Sequence, residues 1–575
     1  MTGYRTLADL VQDRAAESPE RDALIFLRND GQAPDTLTYR QLDAAARNLA
    51  GWLQERGATG ERVLLQQSSR PLFAVSFLAC LYAGAIAVPA PPPTGGGHHE
   101  DRIAGIVRDA ATRFVLTGRD DAPEVSQLLA RTGNSGTTCV AADQVTGEGW
   151  QRPEATADTI AFLQYTSGST QEPRGVMVPH SSLLSDQRAI SRVMRTRPGD
   201  RLGGWLPFHH DMGLIGGLVH PLWLGGTSVL LSPAEFVRRP ARWLEAISDH
   251  GLTISGAPDF AYARCTARVT EEELAGLDLS GWETAVVGGE RVRASTLHAF
   301  ADRFAAAGLR PQALTPAYGL AETTLLASAS VPGAPWTQLA ADPAALEADR
   351  VRPADPGAPA RTLVGCGTAA DGTLLIVDPR TREVLPEGRI GEIWLRGDSV
   401  AAGYWRRRQE TAETFAAVTA DGRGGHLRTG DLGTLHDGQL FVSGRLTDMV
   451  VVAGRNLYPQ DLEQSVQRVS SRLGPGSAFS VPGDEERIVL VQELRARSHF
   501  GLDLDGVTSD MQRCLAEEFD VRAAGVLLVR PGTVRRTTSG KVERAAMRGL
   551  FLRGELRPIH QSMDPDVAHL LPGGR

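Results

Sequence analysis

Along residues 1–330 the apolar positions alternate between helical spacing and short β-branched runs, the latter at 62–66, 159–165, 253–255 and 284–287. Strands separated by helices imply crossover connections, so an α/β fold is expected here, with largely parallel sheets covered by helices. One stretch, 71–90, is apolar for about the length of a membrane span. Gly84, Pro89 and Pro91-Pro92-Pro93 interrupt it, which predicts a buried helix over 72–82 and a short strand over 85–88, and no stable membrane insertion. Residues 1–13 read as the start of a polar-faced helix rather than a secretory leader, so secretion is not expected.

The texture changes at 331–360, where Pro, Ala, Asp and Arg dominate with little β pattern; this reads as an irregular insertion. Strands return at 373–377, 391–396 and 439–443, separated by Gly and Asp turns, as in a small β-rich subdomain. From 445 a second α/β alternation begins, with strands near 449–452, 478–481, 488–493 and 525–529. A C-terminal domain of about 130 residues has an ordinary domain size. The run Gly95-Gly96-Gly97-His98-His99 is expected to be a flexible surface loop.

At 575 residues the chain is too long for one core. Its net charge of -8 argues against a nucleic-acid or anionic-membrane partner. Cys80, Cys139, Cys265, Cys366 and Cys514 are scattered and lack a Cys-x-x-Cys pair, which reads as reduced core thiols in a cytoplasm. The basic residues are the informative part. Of 60 Lys plus Arg only Lys541 is lysine, so 59 are arginine. Guanidinium replaces lysine where surface charge suffices, but not where a slim point charge must reach down a narrow channel. The setting Arg535-Arg536-Thr537-Thr538-Ser539-Gly540-Lys541 therefore marks Lys541 as chemical.

After the strand at 159–165 comes Thr166-Ser167-Gly168-Ser169-Thr170-Gln171-Glu172-Pro173-Arg174-Gly175, and then another strand. Small residues let backbone N–H groups approach phosphate oxygens, hydroxyls add donors, and Arg174 supplies charge. The loop lacks the Gly-Lys-Ser/Thr ending of a Walker motif. Its spacing resembles the phosphate signature of the acyl-adenylating superfamily, which includes acyl-CoA synthetases, luciferases and peptide-synthetase adenylation domains. Further motifs follow in that family's order: Tyr318-Gly319-Leu320-Ala321-Glu322-Thr323, Arg428-Thr429-Gly430-Asp431-Leu432-Gly433, Gly444-Arg445-Leu446-Thr447-Asp448 and Thr538-Ser539-Gly540-Lys541. Within it, Gly84-Ala85-Ile86-Ala87-Val88-Pro89, the segment 205–217 and Gly454-Arg455-Asn456-Leu457-Tyr458-Pro459 are most similar to fatty acyl-AMP ligases.

That resemblance implies a large N-terminal adenylation domain over 1–446, with two parallel-rich sheets and a small β-barrel subdomain. A small mobile α+β domain over 447–575 would carry the catalytic lysine. An insertion near 335–363 is associated in the family with poor use of coenzyme A. ATP would lie against Thr166, Ser167, Gly168, Ser169, Thr170 and Arg174, with adenine at Tyr318, Gly319, Gly288, Gly289 and Glu290, and ribose at Asp431 and Arg445. Glu322 would hold Mg2+, Lys541 would bridge carboxylate and α-phosphate, and Thr447 marks the hinge, where many relatives carry Asp or Lys. His209, His210, Asp211, Met212 and Gly213 would wall an acyl pocket; adjacent residues of this kind rarely converge on one metal.

The implied reaction is ATP-dependent activation of a fatty acid to acyl-AMP, followed by transfer to the phosphopantetheine of a separate holo-acyl carrier protein or a polyketide or peptide synthase. The residues after Met563 lack a carrier's Asp-Ser-Leu site, so the carrier is expected on another chain. The alternatives are a fatty acyl-CoA synthetase, an amino-acid adenylation domain using Asp211 for the substrate ammonium, and a non-catalytic adenylate-binding relative.

Overall fold

The computed structural model describes residues 3–28, 32–93, 97–166, 173–452, 455–481, 486–495, 503–537 and 541–572. Helices Leu7–Glu17 and Tyr39–Glu55 both open with capping boxes, in which Thr6 pairs with Asp9 and Thr38 with Gln41, satisfying N–H groups that a helix start leaves free. They pack against Arg70–Ala83, a helix buried over most of its length that ends at Gly84 in the left-handed conformation, φ 69°. Strand Ile86–Pro89 follows, so the apolar run at 71–90 is a core helix and strand. No helix among the described residues is long and apolar enough to cross a membrane.

Two large sheets form the N-terminal part. A six-stranded sheet orders Thr138–Ala141, Phe114–Thr117, Arg62–Leu65, Ile86–Pro89, Ile160–Thr166 and Arg174–Pro179, parallel except for the last strand. A nine-stranded sheet is parallel from Asp22–Phe26 through Thr227–Leu230, Arg201–Gly204, Ile254–Ala257 and Thr284–Val287 to Leu314–Gly319, with antiparallel strands at both edges. Strands such as Phe114–Thr117 and Thr227–Leu230 are buried at every position, as expected when helices cover both faces.

Three expectations change. The region read as an irregular insertion contains a strand pair, Gln338–Ala341 against Arg361–Val364, and the helix Pro343–Glu347. Ala341, Leu346, Val351 and Leu363 there join a small core with Ile390, Leu432, Phe441 and Tyr458, so a few well-placed apolar residues order a Pro- and Ala-rich text. Beside it, the small β subdomain has four antiparallel strands, Thr373–Val377, Gly391–Arg396, Leu427–His436 and Gln439–Arg445, and Leu440 of the last strand pairs onward with Cys366 and Gly367. Of the expected glycine-rich loop, Gly95 and Gly96 lie outside the described residues, while Gly97, His98 and His99 begin the helix Gly97–Ala110. Ile103, Ile106, Val107 and Ala110 bury that helix, and tertiary packing overrides the glycine at its start. All five cysteines are free, but Cys139 and Cys514 are only half-buried.

The C-terminal region has its own four-stranded sheet, Leu473–Val481, Arg487–Leu494, Gly525–Val529 and His560–Met563. Alternate residues along these strands face opposite ways. One set packs on helices Pro459–Val469 and Leu504–Phe519, the other on Arg544–Leu552. The insertion touches this region directly: Glu347 pairs with Arg455 at 3.3 Å, Asn456 donates to Asp349 at 2.8 Å, and Arg361 lies 4.6 Å from the Phe519 ring centroid. Asp461 adds an ion pair with Arg291 from the nine-stranded-sheet side.

Candidate active site

A cavity of about 1680 Å³ opens between the N-terminal sheets and the C-terminal region. It lies at the carboxyl ends of the parallel strands, where α/β sheets place their ligands: Trp205–Phe208 follow Arg201–Gly204, Gly288-Gly289-Glu290 follow Thr284–Val287, and Tyr318-Gly319 close Leu314–Gly319. Lining it together are Arg174, His209, His210, Asp211, Met212, Gly213, Gly288, Gly289, Glu290, Tyr318, Gly319, Glu322, Asp431, Arg445, Thr447 and Lys541. Residues Ser167, Gly168, Ser169 and Thr170 lie outside the described residues, as does the side chain of Thr166.

The hairpin Leu427–His436 with Gln439–Arg445 turns at Asp437-Gly438, both at positive φ, the backbone a tight two-residue hairpin requires. Its register sets Asp431 opposite Arg445. Arg445 Nε then donates to Asp431 Oδ1 at 2.9 Å and the Tyr318 hydroxyl to Asp431 Oδ2 at 2.8 Å. Asp431 raises the pKa of Arg445 above the ordinary arginine value. Gly319 is glycine for packing, because a Cβ there would collide with the Leu325 carbonyl. Gly289 has φ +79° and faces Met212, so a side chain would be strained and crowded.

Lys541 is held locally by a closed loop: its N–H donates to Thr537 Oγ1 at 3.1 Å, and its carbonyl accepts from the Thr537 N–H at 2.8 Å. The side chain keeps solvent contact, because it stands in the broad cavity with protein on all sides rather than in the narrow channel expected from sequence. Burial and then Arg445 lower its pKa, against the attraction of Asp211, Asp431 and Glu290. Asp211 meets His210 at 2.7 Å. Burial opposes the charge on Asp211, but His210 and Lys541 outweigh it and hold the carboxyl below its usual value. A substrate ammonium would have to displace these partners. Burial instead raises Glu290, whose carboxylate accepts from the Phe260 N–H at 2.7 Å. His209 is pushed down to about 3 by burial and by nearby His210 and Arg102, so its ring is neutral.

Glu322 Oε1 accepts from the Tyr404 hydroxyl at 2.8 Å, and burial raises its pKa. Arg174 is not a bare cation: Glu410 lies 3.2 Å away, and the Tyr404 ring centroid 5.7 Å. Tyr404 therefore joins the two and was missed from sequence, as was Gln164, which donates to the His209 carbonyl at 2.8 Å. Gly403 before Tyr404, at positive φ, was the available signal of a shaped loop.

From Asp211 the chain enters a continuous helix, wide-turned over Met212–Val219 and α-helical over His220–Leu224. Asp211 caps it by accepting from the Met212 N–H at 2.7 Å. Wide turns of this kind gather at functional sites. Its flank lines an arm of the cavity with Leu202, Leu230, Ile254 and Val286. Gly216 lines this arm, and a Cβ there would meet nothing within 4 Å. Gly216→Leu is expected to keep the fold, since leucine favours helix, and to fill the arm. Its kcat/KM should fall about ten-fold or more for long acids and much less for short ones. A uniform loss at every chain length would show that Gly216 does not limit the arm.

A family model described as AMP-binding enzyme matches residues 11–405. The chain is 38% identical to a medium-chain-fatty-acid–[acyl-carrier-protein] ligase of Moorena producens (strain JHB), covering 96% of each chain. It is 36% identical to a long-chain-fatty-acid–AMP ligase of Mycobacterium marinum, over 94% of this chain and 96% of that one. A solved fatty acyl-adenylate ligase from L. pneumophila, in complex with acyl adenylate and pyrophosphate, superposes with TM-score 0.75 at 34% identity, over 97% of this chain and 98% of that one. With both parts of the fold matched and the described residues of the ordered motifs gathered around one cavity, the chain belongs to the AMP-binding enzyme family, in its fatty acyl-AMP ligase branch.

Proposed function

We propose that the protein activates a fatty acid with ATP and passes the acyl group to the phosphopantetheine thiol of a separate holo-acyl carrier protein. The observation that carries this reading is the arrival of Lys541, from the C-terminal region, in the same cavity as Glu322, Asp431 and Arg445, beside an apolar arm. A carboxylate oxygen attacks the α-phosphorus, the new P–O bond forms, and pyrophosphate leaves with the electrons of the broken one. Lys541 lies between the two anions and reduces their repulsion; Asp431 accepts from ribose hydroxyls; Tyr318 and the Gly288-Gly289 backbone face adenine; Arg174, with the loop at 166–170, takes the outer phosphates. His209, His210, Met212 and Gly213 shape the entry to the acyl arm.

Glu322 fits Mg2+, a hard cation that takes one or two protein carboxylates and fills its remaining positions with phosphate and water. Its Oε2 has no side-chain hydrogen bond among the described residues, while Tyr404 fixes Oε1. When bound, the ion would neutralise charge on the departing phosphates. For the second half-reaction, 447–575 turns about Thr447 to admit the thiol. Asp448, next to that hinge, is tied to Arg544 at 3.0 Å, so the hinge is anchored in the moving part.

The contacts from Glu347, Asp349 and Arg361 tie the insertion to the C-terminal region; what supports a carrier over coenzyme A is the family resemblance of that insertion together with the carrier-protein ligase among the relatives. An assay with labelled fatty acid, ATP, and either coenzyme A or holo-carrier protein tests the reading. Acylated carrier with little acyl-CoA is expected; efficient acyl-CoA formation would make the protein a fatty acyl-CoA synthetase.

A further inference from the structure

The far end of the acyl arm is not wholly apolar. Together with Ile190, Met194, Leu202 and Ile254, Thr196 and His220 line the wall. His220 is buried at the opposite end of the wide-turned segment from Asp211, and burial pushes its imidazole down to about 3, so the ring is neutral. Its Nδ1 is 2.8 Å from Gln187 Oε1 and its Nε2 is 3.1 Å from Thr196 Oγ1. Gln187 Nε2 in turn donates to Asp186 Oδ2 at 3.1 Å, and Asp186 Oδ1 accepts from the Leu326 N–H. Both ring nitrogens and both ends of the glutamine are thus engaged, and the chain of bonds ends on a hydroxyl.

That hydroxyl has capacity to spare. A threonine oxygen offers one donor and two acceptor positions, and His220 uses one of them. Gln187 Oε1 can only accept, so the neutral ring carries its proton on Nδ1 and Thr196 donates to Nε2, which leaves both acceptor positions of the hydroxyl open to a ligand. The nearby wall hydroxyl of Ser255 is more fully engaged: it donates to the Gly203 carbonyl at 2.7 Å and accepts from Trp243 Nε1 at 2.8 Å, which leaves it a single acceptor position. A plain hydrocarbon tail reaching Thr196 would cover its spare acceptor positions without filling them, which costs free energy.

We propose that Thr196, oriented by His220, forms a subsite for a hydroxyl group on the distal end of the acyl chain, so that the preferred substrates are ω-hydroxylated or similarly polar-tailed carboxylic acids. This rests on the fatty-acid adenylation reading and names its substrate class. The helix provides a ruler: from Asp211 to His220 it rises at most about 13 Å, at about 1.5 Å per residue. An extended chain advances roughly 1.2 Å per bond, which places the hydroxyl roughly ten bonds from the carboxyl.

The test is ATP–pyrophosphate exchange by the full chain with unsubstituted fatty acids and matched ω-hydroxy acids at lengths bracketing decanoic acid. Near that length kcat/KM is expected to be about ten-fold higher for the hydroxy acid, the worth of one well-formed hydrogen bond. Thr196→Val, which swaps the hydroxyl for a methyl of similar size, should abolish the preference, and Thr196→Ser should retain it. Equal or better use of the unsubstituted acid by the unaltered protein at every length, or a preference that survives in Thr196→Val, overturns the subsite while leaving fatty-acid activation intact. Absence of exchange with either class overturns the adenylation reading itself, and the subsite with it.

Discussion

Lys541→Arg is expected to lower the rate of acyl-adenylate formation about 100- to 1,000-fold, the usual loss when one preorganised electrostatic group is removed from a reacting centre. The cause differs from the steric one suggested by sequence, since the cavity around Lys541 is broad. What distinguishes lysine is a compact charge set among Asp211, Glu290 and Asp431 with Arg445 already nearby. A second, planar guanidinium would have to share those carboxylates, and it presents a fork rather than a point donor. ATP affinity and melting temperature should change little, because the loop holding Lys541 is tied through backbone and Thr537 contacts that arginine leaves in place. Single-turnover formation of acyl-AMP by quenched flow separates these quantities; a near-normal rate would remove Lys541 from the chemistry.

The same residue sets a pH dependence. Burial and Arg445 lower the Lys541 pKa, and the ammonium is the working form, so adenylation is retained below that pKa and lost as pH rises through it. The alkaline limb of the rate profile should therefore begin below the ordinary lysine range. Arginine does not deprotonate in proteins, so in Lys541→Arg the residual activity should lose that limb. Lys541 is also the one side-chain amine of the sequence, so protection from amine labelling by ATP plus fatty acid reports on its position directly.

Asp431→Ala is expected to lower kcat/KM for ATP about 100-fold or more. It removes the acceptor assigned to the ribose hydroxyls, and hydrogen bonds to a charged group are worth about 1.5–3 kcal/mol each. It also strands both neighbours: Tyr318 loses its 2.8 Å acceptor and Arg445 its 2.9 Å partner, so the adenine and hinge sides of the site loosen together. Arg445 keeps 48% side-chain exposure, so solvent can take over much of its pairing and the stability cost should be modest, about 1 kcal/mol. Asp431→Asn, which keeps an acceptor for Tyr318 but not the charge, should fall between the two. Isothermal titration with ATP, together with thermal melts, distinguishes lost binding from lost folding; unchanged ATP affinity in Asp431→Ala would assign the carboxylate a purely structural role.

Some parts of the fold were plain in the sequence because they depend on local rules. The strands at 284–287, 373–377, 391–396 and 525–529 appear at those bounds, since short runs of aliphatic and aromatic residues between turn residues leave little choice of boundary. The fate of the apolar stretch at 71–90 was fixed by Gly84, whose left-handed conformation ends one helix and starts the next strand. The insertion was misread as irregular because its order comes from Leu346, Val351 and Leu363 reaching a core built by distant residues. Likewise the start of Gly97–Ala110 is held by the burial of its later turns, not by its opening residues.

For the site, sequence by itself determined the chemical inventory: a unique lysine, and acidic residues and glycines in ordered motifs. These are legible because turn chemistry and motif spacing act over a few residues. Only the tertiary structure decided which groups share an environment. Tyr318 and Asp431 are 113 positions apart, and Tyr404 and Glu322 are 82 apart; His220 meets Thr196 only because a helix turns back across a sheet end. Charge, burial and hydrogen-bond capacity depend on such long-range neighbours, and no local pattern in the chain encodes them.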